Sequence, residues 1–138
     1  MKYITGLYAL NLPCSLATCG DWHTSALRWE NVDEAESIGS LWEDYGIEKG
    51  VSIPLHEGKF SVANHIRALL DMIFKGDFAL AQGMNRDYIC NDSYDEEIFE
   101  KVYLMKEQEN WSEVDRFMHK EYGRKWRLWK NGNSSIAS

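Results

Sequence analysis

The chain has 138 residues, 44% of them hydrophobic and 27% charged, with a net charge of −7. That length and composition describe one folded domain with room for a core and exclude a disordered chain. No apolar run approaches the roughly 18 residues of a membrane span, and overall acidity argues against nonspecific nucleic-acid binding, which depends on neutralising phosphates.

Residues 2–12 carry apolar groups on both parities, with Ile4, Tyr8, Leu10 and Leu12 on one and Tyr3, Leu7 and Ala9 on the other. The pattern predicts a central strand covered on both faces and ended by Pro13. This opening lacks the clean apolar stretch of a secretory leader, so a cytoplasmic location is expected. Residues 14–20 form a loop closing on Gly20-Asp21, and Asp21 is placed to cap a short helix with Trp22, Ala26 and Trp29 on one face. Residues 30–50, punctuated by Gly39, Gly46 and Gly50, read as loop with one helical turn around Leu41-Trp42. His56-Glu57-Gly58-Lys59 reads as a turn between short extended pieces.

The clearest helix spans 62–75, with Ser61 as N-cap, a stripe of Val62, Ile66, Leu69, Leu70 and Ile73, and Gly76 as the stop. Residues 77–82 read as a buried strand, Gly83-Met84-Asn85-Arg86-Asp87 as a turn, and Tyr88-Ile89-Cys90 as a strand pairing back. Ser93 with Glu96 forms a capping box for a further helix, and Ser112 caps a last one that Gly123 weakens midway. The order predicts a single α+β domain over 1–130 and a frayed polar tail over 131–138. Its short sheet has an N-terminal central strand packed by three main helices, the last two forming a helical hairpin across Gln108-Glu109-Asn110-Trp111.

Charge is unevenly spread. Glu30, Asp33, Glu34, Glu36, Glu43, Asp44 and Glu48 form a segment without a single base, whereas Arg116, Lys120, Arg124, Lys125, Arg127 and Lys130 share theirs with Glu121 alone. The acidic run offers a face for a basic partner, with Glu34, Glu36, Glu43 and Asp44 as its binding residues. The six tryptophans are costly to place, because each needs an apolar seat and a partner for its indole N–H. The basic last helix interleaves charge with Trp126 and Trp129, the composition of a single-strand grip. Trp126 continues the core stripe, so Trp129 is the expected exposed anchor.

Four further constellations carry chemistry. Cys14, Cys19 and His23 follow C-x4-C-x3-H, but the paired knuckle of zinc sites is absent and buried thiols are favoured, so no metal is expected. An odd count of three cysteines also argues against a disulfide framework. Asp21 and His23 are spaced for a carboxylate orienting a general base, though no nucleophile is evident, and a helix cap with a surface histidine is the plainer reading. Asn64, His65 and Arg67 open the strongest helix; with His56 and Lys59 they make the best candidate for a small polar pocket, against the plainer reading of a satisfied interior histidine. Arg86, in its turn, can clamp a carboxylate or phosphate.

The runs Tyr3-Ile4-Thr5-Gly6-Leu7-Tyr8-Ala9-Leu10-Asn11-Leu12-Pro13-Cys14, Gly20-Asp21-Trp22-His23 and Val62-Ala63-Asn64-His65-Ile66-Arg67-Ala68 resemble a set of uncharacterised small bacterial proteins, over most of the chain. The resemblance implies a setting in mobile-element, abortive-infection or toxin–antitoxin loci, and implies no reaction and no residue roles. The expected function is therefore a small acidic binding protein that regulates or neutralises a macromolecular partner, a protein rather than a nucleic acid, antitoxin-like or inhibitory in phage–host conflict. The alternative is a small enzyme or ligand-binding protein using His23, His65 and Asp21. No pattern names a cofactor, and a homo-oligomer is compatible with the sequence.

Overall fold

The structure, a computed structural model, describes residues 1–23 and 27–137, with side chains through Asn133. It is an α+β domain around a four-stranded sheet of order β2-β1-β4-β3, with β1 Lys2–Thr5, β2 Asp33–Glu36, β3 Ile47–Val51 and β4 Phe60–Ala63. The N-terminal strand is central, antiparallel to β2 and parallel to β4, and β3 closes the far edge antiparallel to β4. Among the described residues no helix is long and apolar enough to cross a membrane.

The expected strand over 2–12 is half strand and half helix. β1 stops at Thr5, and α1 (Gly6–Leu10) begins at once. Gly6 makes the corner at φ +67°, where a Cβ would sit 2.6 Å from the Asp33 carboxylate. Only glycine turns there without strain. The apolar groups on both parities thus belong to two elements, and Tyr8, Ala9 and Leu10 are buried as helix residues.

The stripe over 62–75 is a helix, α2, but it starts at His65 and runs to Lys75. Residues 60–63 are drawn into β4, and Asn64 replaces Ser61 as the cap, its side chain accepting the Arg67 N–H at 2.9 Å. α2 joins two apolar clusters. Ala68 packs with Tyr3, Ile4, Val62 and Ala63 of the sheet, while Ile66, Leu69, Leu70 and Ile73 pack with the C-terminal helices. Each of those four large side chains contributes about 1.5–3 kcal/mol by leaving water.

The acidic stretch is more ordered than a loop, since it holds both edge strands, β2 and β3, around turns at 38–46. The strands expected at 77–82 and 88–90 are instead a short helix, α3 (Phe78–Ala81), and a π-helical turn over Met84–Ile89. Glu121 fixes that turn by accepting the Gly83 and Asn85 N–H groups, each at 3.1 Å. Backbone donors that would have needed a neighbouring strand are met there by a carboxylate. Asp21, Trp22 and His23 are not helical, Trp29–Asn31 is a single 3-10 turn, and Ala26 lies outside the described residues.

α4 covers Asp95–Tyr103, after a 3-10 turn at Asp92–Tyr94 capped by Asn91 rather than by a Ser93–Glu96 box. α5 (Trp111–Tyr122) and α6 (Arg124–Ala137) are the last two helices, and they fold on one another about Gly123 instead of across 108–111. α6 continues helically through the stretch expected to fray after residue 130.

Asp115 ties that pair together, accepting from Trp126 Nε1 at 2.9 Å and Lys130 Nζ at 2.6 Å. Burial pushes its carboxyl upward, but the Lys130 and Trp126 donors outweigh this and leave its pKa below the ordinary value. A depressed carboxylate stabilises the fold above its unfolded pKa, and the effect is lost as pH falls through the folded one. Asp115→Asn is therefore expected to lower stability by about 1 kcal/mol at pH 7, as a partly screened pair. The gap should narrow at a second pH well below the ordinary carboxylate range, as the wild-type carboxylate is itself protonated through its lowered pKa. Urea midpoints of both proteins at the two pH values check this.

Candidate functional site

Arg67 leaves the first turn of α2 and is fully buried. Its five donors are all used. Nε donates to Asp71 Oδ1 at 3.0 Å, one terminal nitrogen to the carbonyls of Glu43 and Tyr45 at 2.8 and 2.7 Å, and the other to Tyr3 OH and Ser40 Oγ at 2.9 and 3.2 Å. Tyr3 and Thr5 of β1 donate in turn to Asp71 Oδ2 at 2.7 and 2.6 Å. Burial first, and then Asp71 beside it, push the Tyr3 phenol well above its ordinary pKa, so it stays a donor.

Above this network lies a cleft of about 660 Å³. Asp33, Glu34, Glu36 and Asp71 line it against one lysine, Lys75, which is paired with Asp33 at 3.1 Å. Its apolar walls include Trp42 and Phe74, and Ile38 is 76% exposed at its margin. Glu36 is engaged by the Met1 amino group, which together with the Ile38 N–H holds its carboxyl below the usual range. Among the described residues no partner holds Glu34. Two of the four acidic residues singled out by sequence, Glu34 and Glu36, thus line one concavity. Glu43 and Asp44 are exposed but outside its lining.

The polar residues of α2 separate. Arg67 lies buried beneath the cleft, bonded to Tyr3, Ser40 and Asp71 of its lining, and Asn64 is the helix cap, so neither is a free contact residue. His65 is 1% exposed and points to the loop before it, with Nε2 2.6 Å from the Leu12 carbonyl and Nδ1 2.7 Å from Thr18 Oγ1. His56 and Lys59 do not join it: His56 packs on Trp29 with ring centroids 4.1 Å apart, and Lys59 bonds Ser52. A pocket built from all five residues is therefore not formed.

Asp21 and His23 do meet, with Oδ1 and Nδ1 2.8 Å apart, on an exposed histidine. No hydrogen bond joins His23 to His65; both instead bond the segment before Pro13, His23 through its N–H to Asn11 Oδ1 at 2.5 Å. Among the described residues no group of three or more His, Cys, Asp or Glu is placed to hold a metal. Cys14 lies beside Thr18 and His65, and Cys19 beside Cys90, so the C-x4-C-x3-H residues go to different neighbours.

Trp129 is half-buried, not an exposed anchor. It stacks on Trp126 at 5.9 Å and meets Tyr103 and Phe99 edge-on. With Trp126 fully buried, the basic face of α6 has no free aromatic pair for bases to stack on. Arg86 is exposed beside Lys120, Asp87 and Glu121 around a shallow polar depression. Among the described residues no ion pair joins the acidic segment 30–48 to the basic segment 116–130; Lys125 and Lys130 pair with Asp95 and Asp115.

Sequence reasoning missed Asp71, Tyr3 and Ser40. The spacing of Arg67 and Asp71, one turn apart on the same helix, was the available signal. Arg67→Met is expected to cost about 3–5 kcal/mol in unfolding free energy, because Asp71 keeps its charge without a cation. Adding Asp71→Leu should recover part of that loss, which urea unfolding of the two variants measures.

Comparison with protein-family models, with curated proteins and with solved structures finds no match.

Proposed function

We propose that the chain is a binding module that holds a cationic segment of a protein partner in the cleft between β2 and α2, regulating or neutralising that partner in the cytoplasm. The observation that carries this is a cluster of carboxylates on an apolar-walled concavity, in which Lys75, the Met1 amino group and Arg67 engage Asp33, Glu36 and Asp71 while no partner among the described residues holds Glu34. Four carboxylates line it with a single lysine already engaged, and Phe74 and Ile38 stand exposed beside them. A low-dielectric wall focuses the field of such charges and raises the local concentration of a cation. The apolar groups then supply the desolvated contact that most of the binding energy comes from.

A lysine or arginine flanked by apolar side chains fits both halves of this surface. The arrangement gives steering through Glu34 and Glu36 and residence time through Phe74, Leu41 and Ile38. In the toxin–antitoxin or phage-defence setting that the family resemblance implies, the partner would be a basic toxin or effector. Acidic edges on β2 also suit a protein that binds through side chains and not by adding a strand.

The test is an affinity capture from the native host, followed by titration of the captured protein against variants. Glu34→Gln with Glu36→Gln, and separately Phe74→Ala, should each weaken binding by about tenfold or more, the first pair most at low salt. Glu43→Gln with Asp44→Asn should weaken it little. Equal affinity of the Glu34/Glu36 pair and the wild type would remove the cleft from the account.

A further inference from the structure

The loop from Cys14 to Gly20 has no helix or strand of its own, yet it is held from several sides. Ser15 donates through its N–H and its hydroxyl to Glu48 of β3 at 2.9 and 2.6 Å. The Ala17 N–H donates to Tyr94 OH, and the Ala17 carbonyl accepts from Asn91 Nδ2, both at 3.0 Å. Cys19 and Gly20 both donate to the Tyr88 carbonyl, at 3.0 and 2.9 Å. Gly20 lies flat against the His65 ring, where a Cβ would stand 2.7 Å from Cε1. An irregular segment fixed this closely is suited to positioning side chains.

What it positions is a chain of three polar side chains. Thr18 Oγ1 is 3.7 Å from Cys14 Sγ and 2.7 Å from His65 Nδ1. The Leu12 carbonyl, 2.6 Å from Nε2, can only accept, so Nε2 carries the ring proton and Nδ1 presents its lone pair to Thr18. The cysteine S–H can then donate to the Thr18 oxygen while the Thr18 O–H donates to Nδ1. Moving one proton along this path leaves a thiolate beside an imidazolium. The base is buried, whereas Cys14 itself is partly open to solvent.

We propose that Cys14 is a nucleophilic thiol site for small hydroperoxides, with Thr18 and His65 as its proton relay. The Cys14 thiolate attacks the terminal oxygen of the hydroperoxide; an S–O bond forms as the O–O bond breaks. The departing alkoxide takes the proton that His65 received, returned through the Thr18 hydroxyl. Cys14 is oxidised to a sulfenic acid and the hydroperoxide is reduced to an alcohol, or to water when the oxidant is hydrogen peroxide. The electrostatics agree with the geometry. Burial raises the Cys14 thiol, but His65 outweighs it and brings the pKa below the ordinary thiol value. Burial lowers His65, and Cys14 with the Leu12 carbonyl outweighs that in the other direction.

The molecule contains its own control. Cys90 is more exposed than Cys14, yet partial burial of its sulfur and the Cys19 thiol beside it push it up to about 11. Simple accessibility predicts that Cys90 reacts first, and the relay predicts Cys14. The full-length protein is treated with hydrogen peroxide in the presence of dimedone, and labelled peptides are followed by mass spectrometry. Cys14 should be labelled about tenfold faster than Cys90, and its iodoacetamide rate should persist to lower pH than that of an ordinary thiol. Thr18→Val and His65→Gln should each slow Cys14 about tenfold and return its pH profile towards the usual thiol range, while Thr18→Ser keeps the wild-type rate. Labelling of Cys90 or Cys19 ahead of Cys14, or a Thr18→Val protein with the wild-type rate and profile, overturns the proposal. Should the His65 variant fail to fold, the order of Cys14 and Cys90 in the wild type decides alone.

Discussion

A guanidinium with no exposure is tolerable only when every N–H has an acceptor, and Arg67 imposes that condition on three parts of the chain at once. The β1 strand must present Tyr3, the acidic turn must present Ser40 and the carbonyls of Glu43 and Tyr45, and α2 must present Asp71 one turn on. The turn has no regular hydrogen-bond ladder of its own at 43–45, so the arginine supplies the donors its carbonyls need. In closing the turn over the helix, Arg67 also holds Tyr3, Ser40 and Asp71, which line the cleft. The fold and the cleft therefore rest on the same group.

This sharing separates two kinds of charge on one small protein. Asp71 and Arg67 neutralise each other inside, where removing one partner is far costlier than removing both. Glu34, Glu36, Glu43 and Asp44 stand in solvent, where each is worth little to stability. Charge that contributes little to folding is free to be set by what the surface meets. The tryptophans divide in the same way. Trp42, Trp111, Trp126 and Trp129 belong to the helical cluster or pack on its edge, while Trp22 and Trp29 remain in the irregular region between α1 and β2.

The parts legible in the sequence were those with local causes. The stripe Ile66, Leu69, Leu70 and Ile73 repeats at helical spacing, and Gly76 ends it in the left-handed region. The α+β class followed from the mixture of such stripes with a β-like N-terminus. Residues 2–12 misled because a strand and a helix abut at Gly6 without a polar break between them. The stretch 77–90 misled because short apolar runs carry no period, and its backbone is satisfied by Glu121, far along the chain. The site was legible as residues and not as a constellation. Arg67 and the acidic segment could each be named, but Tyr3 lies 64 positions from Arg67, and no local pattern encodes that meeting. Cys14 and His65 are a similar case: each was singled out, in a different grouping, because the loop that unites them is fixed by partners on four other elements.

The parallel pairing of β1 with β4 has a consequence for how the chain is made. β1 leaves the ribosome ahead of its parallel neighbour and of the arginine that binds Tyr3, which lies 64 residues further along the chain. At typical elongation rates of about 5–20 residues per second, Tyr3 and Ile4 wait for seconds without their native neighbours. Its antiparallel partner β2 emerges sooner, and with four residues and exposed Glu34 and Glu36 it is a poor template for stray strands. The carboxylates that line the finished cleft thus also guard the nascent sheet, keeping a half-made hairpin soluble until α2 arrives to cover it.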